Sequence, residues 1–278
     1  MKVFIVADME GVSGVVHPEH TGWSGKRHHE ARTWMTQDIN AAVDGAVAAG
    51  ATEVLVCDGH SNGRNVILDI LHPEANLMWG RQNRQLGQME GLDESFQAVM
   101  MVGFHARAGT LGVLNHTINS GVITEIRMNG DPVGEIDLNA ALAGEFGVPT
   151  VMVSGDATAV GQAKARLPHI ETVTTMEAVG TYSAKILAPA KAHALIREAA
   201  VRALGRLQEM KLWQVTAPVT LELTFKESAM ADAAAMIPCV ERIDAMTCAY
   251  KDASLKAALR CCLAMITLAT TERWESTV

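Results

Sequence analysis

Asp8 and Glu10 stand directly behind the apolar run Val3–Ala7, His60 lies three residues past Glu53–Cys57, and His105 comes straight after Ala98–Phe104. In an extended chain, residues two apart share a side at a Cα spacing of about 6.5–7 Å. Asp8 and Glu10 therefore converge while Met9 turns away. A carboxylate pair this close repels itself unless a cation neutralises it. The two imidazoles complete a set of oxygen and nitrogen ligands without thiolate. Such a set suits Zn2+ in a catalytic site, with Mn2+ and Co2+ as alternatives. Singly, an Asp-x-Glu or a His behind a strand reads as a solvated loop, a cap or a structural group. Three successive strands delivering such residues to one edge is the pattern of a metal site. Asp58, beside them, either orients a ligand imidazole or closes a turn.

The elements that must position these residues are legible from patterning. Short β-rich runs alternate with helical stretches in the first half, as in an α/β fold whose mostly parallel sheet lies between two helical layers. In such sheets ligands gather outside the carboxyl ends of the strands. Val3–Ala7 is unbroken apolar sequence, as expected of a strand covered on both faces. Residues 30–49 predict a helix closed by Gly50. Glu53–Cys57, Ala98–Phe104 and Pro149–Val153 predict further strands. Val122–Met128 and Pro132–Gly134 flank Asn129-Gly130-Asp131, which has hairpin chemistry, and Ile136–Phe146 predicts a helix. Beyond residue 157 the texture changes. A helix opens at Pro189, Val219–Phe225 alternates as a strand with one wet face, and residues 254–271 predict a last helix. We expect a catalytic α/β domain over 1–157 and a smaller α+β domain over 158–278 that contributes to assembly.

Composition narrows the function. The chain has 278 residues, 49% hydrophobic and 19% charged, enough for a sizeable core without disulfide staples. A net charge of −8 and the lack of a basic tract argue against nucleic acid or an anionic membrane as partner. No apolar run reaches the ~20 residues of a membrane span. The N-terminal run is too short for a secretory signal, and the five cysteines include no Cys-x-x-Cys pair, so a cytoplasmic protein with reduced cysteines is expected. Gly11, Gly14, Gly59 and Gly63 form no phosphate loop, and no serine nucleophile elbow is expected. His17, His20, His28 and His29 read as solvated loop and helix-start residues, His72 as part of a turn. His169 and His193 lie away from the cluster.

Several ordered motifs resemble the metal-dependent D-aminopeptidases of peptidase family M55. They are Val6-Ala7-Asp8-Met9-Glu10-Gly11-Val12-Ser13-Gly14, Val56-Cys57-Asp58-Gly59-His60-Ser61, Leu71-His72-Pro73-Glu74-Ala75 and Met89-Glu90-Gly91-Leu92-Asp93. Gly103-Phe104-His105-Ala106-Arg107-Ala108, Asn115-His116-Thr117, Pro132-Val133-Gly134-Glu135 and residues 149–156 continue the series. The resemblance is strong to about residue 156 and diffuse beyond. It implies two zinc ions per subunit, with Asp8 bridging them and Glu10, His60, His105 and Glu135 completing the ligand sets. It implies His116 as the catalytic histidine, described in the family as the nucleophile, and a homo-oligomeric ring, a decamer, resembling a self-compartmentalising protease. Glu135 comes from the resemblance alone, since it follows a hairpin and not a buried strand. The sequence departs from the family at Gly59, where serine is familiar, and by one extra residue between His116 and Glu135, which leaves Glu125 as the alternative.

The expected activity is hydrolysis of short peptides with an N-terminal D-residue such as D-Ala. His116 either transfers protons or attacks directly. A competing reading keeps the two metals but cleaves another amide or a phosphoester, with Arg107 or Arg127 facing an anion. A non-catalytic, metal-dependent peptide-binding protein is the alternative from a different class.

Overall fold

An apolar run must be covered on both sides, and Val3 to Ala7 of the first strand, β1 (Lys2–Ala7), have no exposed surface. The computed structural model describes residues 1–80 and 85–272. A short helix α1 (Pro18–Thr21) and a long one, α2 (His28–Ala48), lead to β2 (Glu53–Asp58), β3 (Ala75–Met78) and β4 (Ala98–Phe104). The hairpin β5 (Ile123–Met128) and β6 (Asp131–Val133) runs into α3 (Glu135–Glu145), then β7 (Thr150–Asp156), α4 (Ala157–Arg166), β8 (Glu171–Gly180) and β9 (Ser183–Ile186). The remainder is α5 (Pro189–Gly205), β10 (Val219–Phe225), α6 (Ser228–Ala234), β11 (Glu241–Arg242), β12 (Thr247–Asp252) and α7 (Leu255–Ala269).

Two sheets result. The larger has the order β3-β2-β1-β4-β7-β8-β9 and is parallel except for its last strand. The smaller is antiparallel, in the order β11-β12-β10-β5-β6. Alternation along β1 divides the interior. Val3 and Ile5 pack with Met35, Ile39 and Val43 of α2 and with Ile196 and Ala200 of α5. Phe4 and Val6 face the other way, into a core that includes α3, α4, α7 and the smaller sheet. The α/β architecture with helices on both faces is as expected. Helix α2 ends where Gly50 adopts φ +88, a left-handed conformation that glycine enters without a Cβ penalty.

The sheets do not part at residue 157. Strands β8 and β9 and helix α5, all beyond it, belong with the larger sheet, whereas β5 and β6, before it, belong to the smaller one. Asp156 closes β7 and caps α4 by accepting from the Thr158 and Ala159 amides. This is a strand-to-helix junction inside one sheet. The Thr-rich β8 lacks the unbroken apolar run of its neighbours, so the change of texture there reflects a less buried strand. Cys57, Cys248 and Cys262 are buried, Cys261 is half-buried and Cys239 is exposed, and none is in a disulfide. No helix among the described residues is long and apolar enough to cross a membrane.

Candidate metal centre

The parallel register aligns three strand exits. Ala7 pairs with Asp58 on one side and Val102 on the other, so Asp8, His60 and His105 emerge at the same edge. The exits of β1 and β4 are stitched by Asp8 N to Val102 O and Gly11 N to Gly103 O, each 2.8 Å. Gly103 has φ +76, and a Cβ there would collide with the Asp8 carbonyl. Asp58 accepts from the Asn65 and Val66 amides and the Asn65 side chain, and Asn65 donates in turn to the His60 carbonyl. Asp58 thus folds the loop that carries His60, the turn-closing option of the two expected.

Glu135 arrives by another route. The β5–β6 hairpin delivers it as the first residue of α3, a position where a negative charge complements the helix dipole. The Gly134 amide donates to Asp137, fixing that turn. Glu135 Oε1 accepts from the Ile118 amide at 2.7 Å and Oε2 from Gln88 Nε2 at 2.5 Å. Gln88 Oε1 accepts in turn from Asn139 Nδ2 at 2.7 Å. Glu125, the alternative, is paired with Arg127 on β5 and takes no part.

These routes bring the five expected ligands together. His60 Nδ1 is 3.1 Å from Asp8 Oδ1 and 3.1 Å from Glu10 Oε2. His105 Nε2 is 3.3 Å from both Asp8 Oδ2 and Glu135 Oε1. Asp8 therefore sits between two lobes, with one oxygen turned to each. His116 lies beside the second lobe, its ring stacked on His105 at 4.1 Å between centroids and its Nε2 3.8 Å from Glu135 Oε1. Potential ligand atoms of Asp8, Glu10 and His105 lie within 4.8 Å of one another, as do those of His105, His116 and Glu135.

The protonation pattern tests whether a cation fits. His60 Nε2 faces the Thr21 carbonyl at 2.9 Å, His105 Nδ1 the Ala106 carbonyl at 3.0 Å, and His116 Nδ1 the Leu114 carbonyl at 2.9 Å. Carbonyls only accept, so each of these nitrogens carries the proton. In a neutral imidazole the other nitrogen is then bare, and in all three rings it points at carboxylate oxygens. Asp8 Oδ2, Glu10 Oε2 and His105 Nε2 are buried without a hydrogen-bond partner among the described residues. Lone pairs facing lone pairs in a buried cluster call for positive charge between them. Burial pushes the Asp8 carboxyl up, yet the nearby imidazoles of His105 and His60 hold it well below its usual range. Burial pushes His60 and His105 down, yet Glu10 with Asp8, and Glu135 with Asp8, raise them well above theirs. A divalent cation meets the same demand, and carbonyl-held imidazoles are how proteins orient such ligands.

Two other histidines differ from expectation. His20 and His28 are buried, not solvated, because residues 15–28 fold over the site and supply the Thr21 carbonyl to His60. His28 contacts Asn65, and His193 lies 3.3 Å from Asp38. His72 accepts from the Glu74 amide, as a turn residue does. One Gly-x-Ser-x-Gly match stands where no elbow is expected, at Gly59-His60-Ser61-Asn62-Gly63. Ser61 has φ 53 and lines the cavity. Turns and bends follow instead of a helix, and the His60 of the motif is engaged by Asp8, Glu10 and Thr21, so the strand–turn–helix context of a nucleophile elbow is missing. Sequence patterning also passed over Gln88, Ile118 and Thr21. Two of these act through backbone atoms, which leave no mark in residue type.

A cavity of about 620 Å3 opens onto the cluster, with Asp8, His60, His116 and Glu135 in its lining. Over residues 1–264 the sequence matches the D-aminopeptidase family Peptidase_M55. A D-aminopeptidase of Bacillus subtilis (strain 168) is 37% identical over 243 residues, 87% of each chain. The fold matches that of the Zn-dependent D-aminopeptidase DppA from Bacillus subtilis, a self-compartmentalizing protease, with a TM-score of 0.94 and 32% identity over the full length of both chains. Fold, sequence and a carboxylate–imidazole cluster suited to a metal agree, and the chain belongs to the Peptidase_M55 family of D-aminopeptidases.

Proposed function

We propose that this protein is a zinc-dependent aminopeptidase that removes an N-terminal D-residue, such as D-Ala, from short peptides. Asp8 would bridge two ions per subunit, with Glu10 and His60 on one side and His105 and Glu135 on the other. The observation that carries this reading is the set of imidazoles whose far nitrogens are tied to carbonyls and whose bare nitrogens converge on buried carboxylates. Three carboxylates carry three negative charges, so two divalent ions bring the site within one charge of neutral. The donor set, oxygen and nitrogen without sulfur, suits zinc. Held by these residues, zinc would supply Lewis-acid chemistry, polarising a scissile carbonyl and lowering the pKa of a water molecule.

The chain's own residues do the rest. His116 is 17% exposed at its side chain, far more open than His105 at 1%, and it lines the cavity together with Asp8, His60 and Glu135. Its Nδ1 donates to Leu114, so its Nε2 is free to take a proton from the attacking group and return it to the departing amine. Stacking on His105 holds the ring in plane for that transfer. The Bacillus subtilis relative is a self-compartmentalizing protease, which supports a homo-oligomer here, with a decamer as the expected ring.

The test is elemental analysis combined with turnover of D-Ala-p-nitroanilide, its L-analogue and p-nitrophenyl phosphate. We expect about two zinc ions per chain, cleavage of the D-anilide in preference to the others, and loss of turnover in His116→Ala with zinc retained. A folded protein that is active without bound metal, or one that leaves every peptide intact, would overturn the reading.

A further inference from the structure

The cavity that reaches the metal cluster has a second, apolar end. Leu259, Leu263 and Ile266 of α7 line it, spaced by four and three residues and so on one helix face. Leu86 and Leu138 add further apolar lining to the cavity. The neighbouring face of α7, with Ala258, Cys262 and Met265, is fully buried in the core. The helix thus divides its apolar surface between core and cavity, and Leu263, only half-buried, presents most to the cavity. Across from it, Gly87 sits at φ +61, where a Cβ would lie 3.5 Å from Leu263 Cδ1. The glycine that this conformation favours also leaves the cavity the room a side chain would take.

A methyl group beside the scissile bond leaves such a wall in contact with water, whereas a branched four-carbon side chain covers it. Resting on the aminopeptidase reading, we propose that the α7 stripe is a specificity pocket for a leucine-sized aliphatic side chain on a residue flanking the cleaved bond. Each methylene placed in an apolar pocket changes kcat/KM by about tenfold or more. The leucine advantage should therefore be at least tenfold and should lie mainly in KM.

The experiment uses the zinc-loaded full-length assembly and three dipeptides, D-Ala-D-Ala, D-Leu-D-Ala and D-Ala-D-Leu. Calorimetric binding of the corresponding uncleavable reduced-amide isosteres runs in parallel. One leucine peptide should exceed D-Ala-D-Ala by tenfold or more in kcat/KM, and its isostere should bind tighter by a similar factor. Leu263→Gln should cut that ratio at least fivefold, Leu263→Ala should cut it less, and particle size by light scattering should not change. Equal or better hydrolysis of D-Ala-D-Ala in the parent overturns the pocket and leaves the aminopeptidase reading standing. Equal losses on all three substrates, or a change in assembly size with selectivity intact, also overturns it and marks the stripe as a contact between copies. Failure to cleave any D-dipeptide with zinc bound removes both readings together.

Discussion

Replacing Gln88 with leucine keeps much of the side chain's bulk but deletes the amide that donates to Glu135 Oε2 at 2.5 Å. A carboxylate can only accept, so Gln88 must present its NH2 to Glu135 and its oxygen to Asn139, and the bridge is directional. A hydrogen bond to a charged group contributes about 1.5–3 kcal/mol. With each 1.4 kcal/mol worth a factor of ten, zinc affinity should fall about 10- to 100-fold, the range usual for losing a partner that orients a metal ligand. Gln88→Glu should be worse, since it sets a second carboxylate against the first. Asn139→Ala should be milder, because it frees only the far end of the bridge. Competition with a chromogenic zinc chelator measures the affinity, and thermal melting shows whether the fold is intact. Zinc bound by Gln88→Leu within twofold of the parent, at unchanged melting temperature, would refute the claim that this bridge positions Glu135.

Gly103→Ala places a Cβ against the Asp8 carbonyl on a backbone at φ +76, where a non-glycine residue costs about 1–3 kcal/mol before any clash is counted. Lowered zinc content and a lowered melting temperature are expected together, and full zinc occupancy would count against the tight β1–β4 exit. Burial pushes the Asp38 carboxyl up to about 8, with His193 3.3 Å away. The folded state then keeps a proton that the unfolded chain releases from about pH 4 upward. Stability should fall as pH climbs from about 4 to about 8. Asp38→Asn, neutral throughout, should melt higher than the parent at pH 8 with the gap closing near pH 4, and an equal gap at both pH values would contradict this.

The larger sheet's buried strands and the residues just past them were legible because an unbroken apolar run has one stable fate, and the next polar residue must leave at the strand's end. Asp8, Glu10, His60 and His105 follow that rule. Glu135 does not, since its place depends on a hairpin paired into a different sheet, so only resemblance to a family pointed to it. Strands β3, β8, β9 and β12 were missed because half-exposed strands mix polar and apolar residues without a clean period. His20 and His28 sit in sequence typical of solvated loops. They are buried because that loop folds back across the site to present one carbonyl, and a carbonyl belongs to every residue alike.

The pairing of β5 with β10 ties the candidate metal centre to a late part of the chain. The hairpin that launches Glu135 gains its second neighbour from residues 219–225, with Leu221 opposite Met128 and Leu223 opposite Ile126. A two-stranded ribbon is marginal alone in water. A nascent polypeptide therefore carries Asp8, Glu10, His60 and His105 well before the strand that steadies the hairpin leading to Glu135 has been made. Completion of the candidate site is thereby tied to residues 219–225, which follow Asp8, Glu10, His60 and His105 by more than a hundred positions.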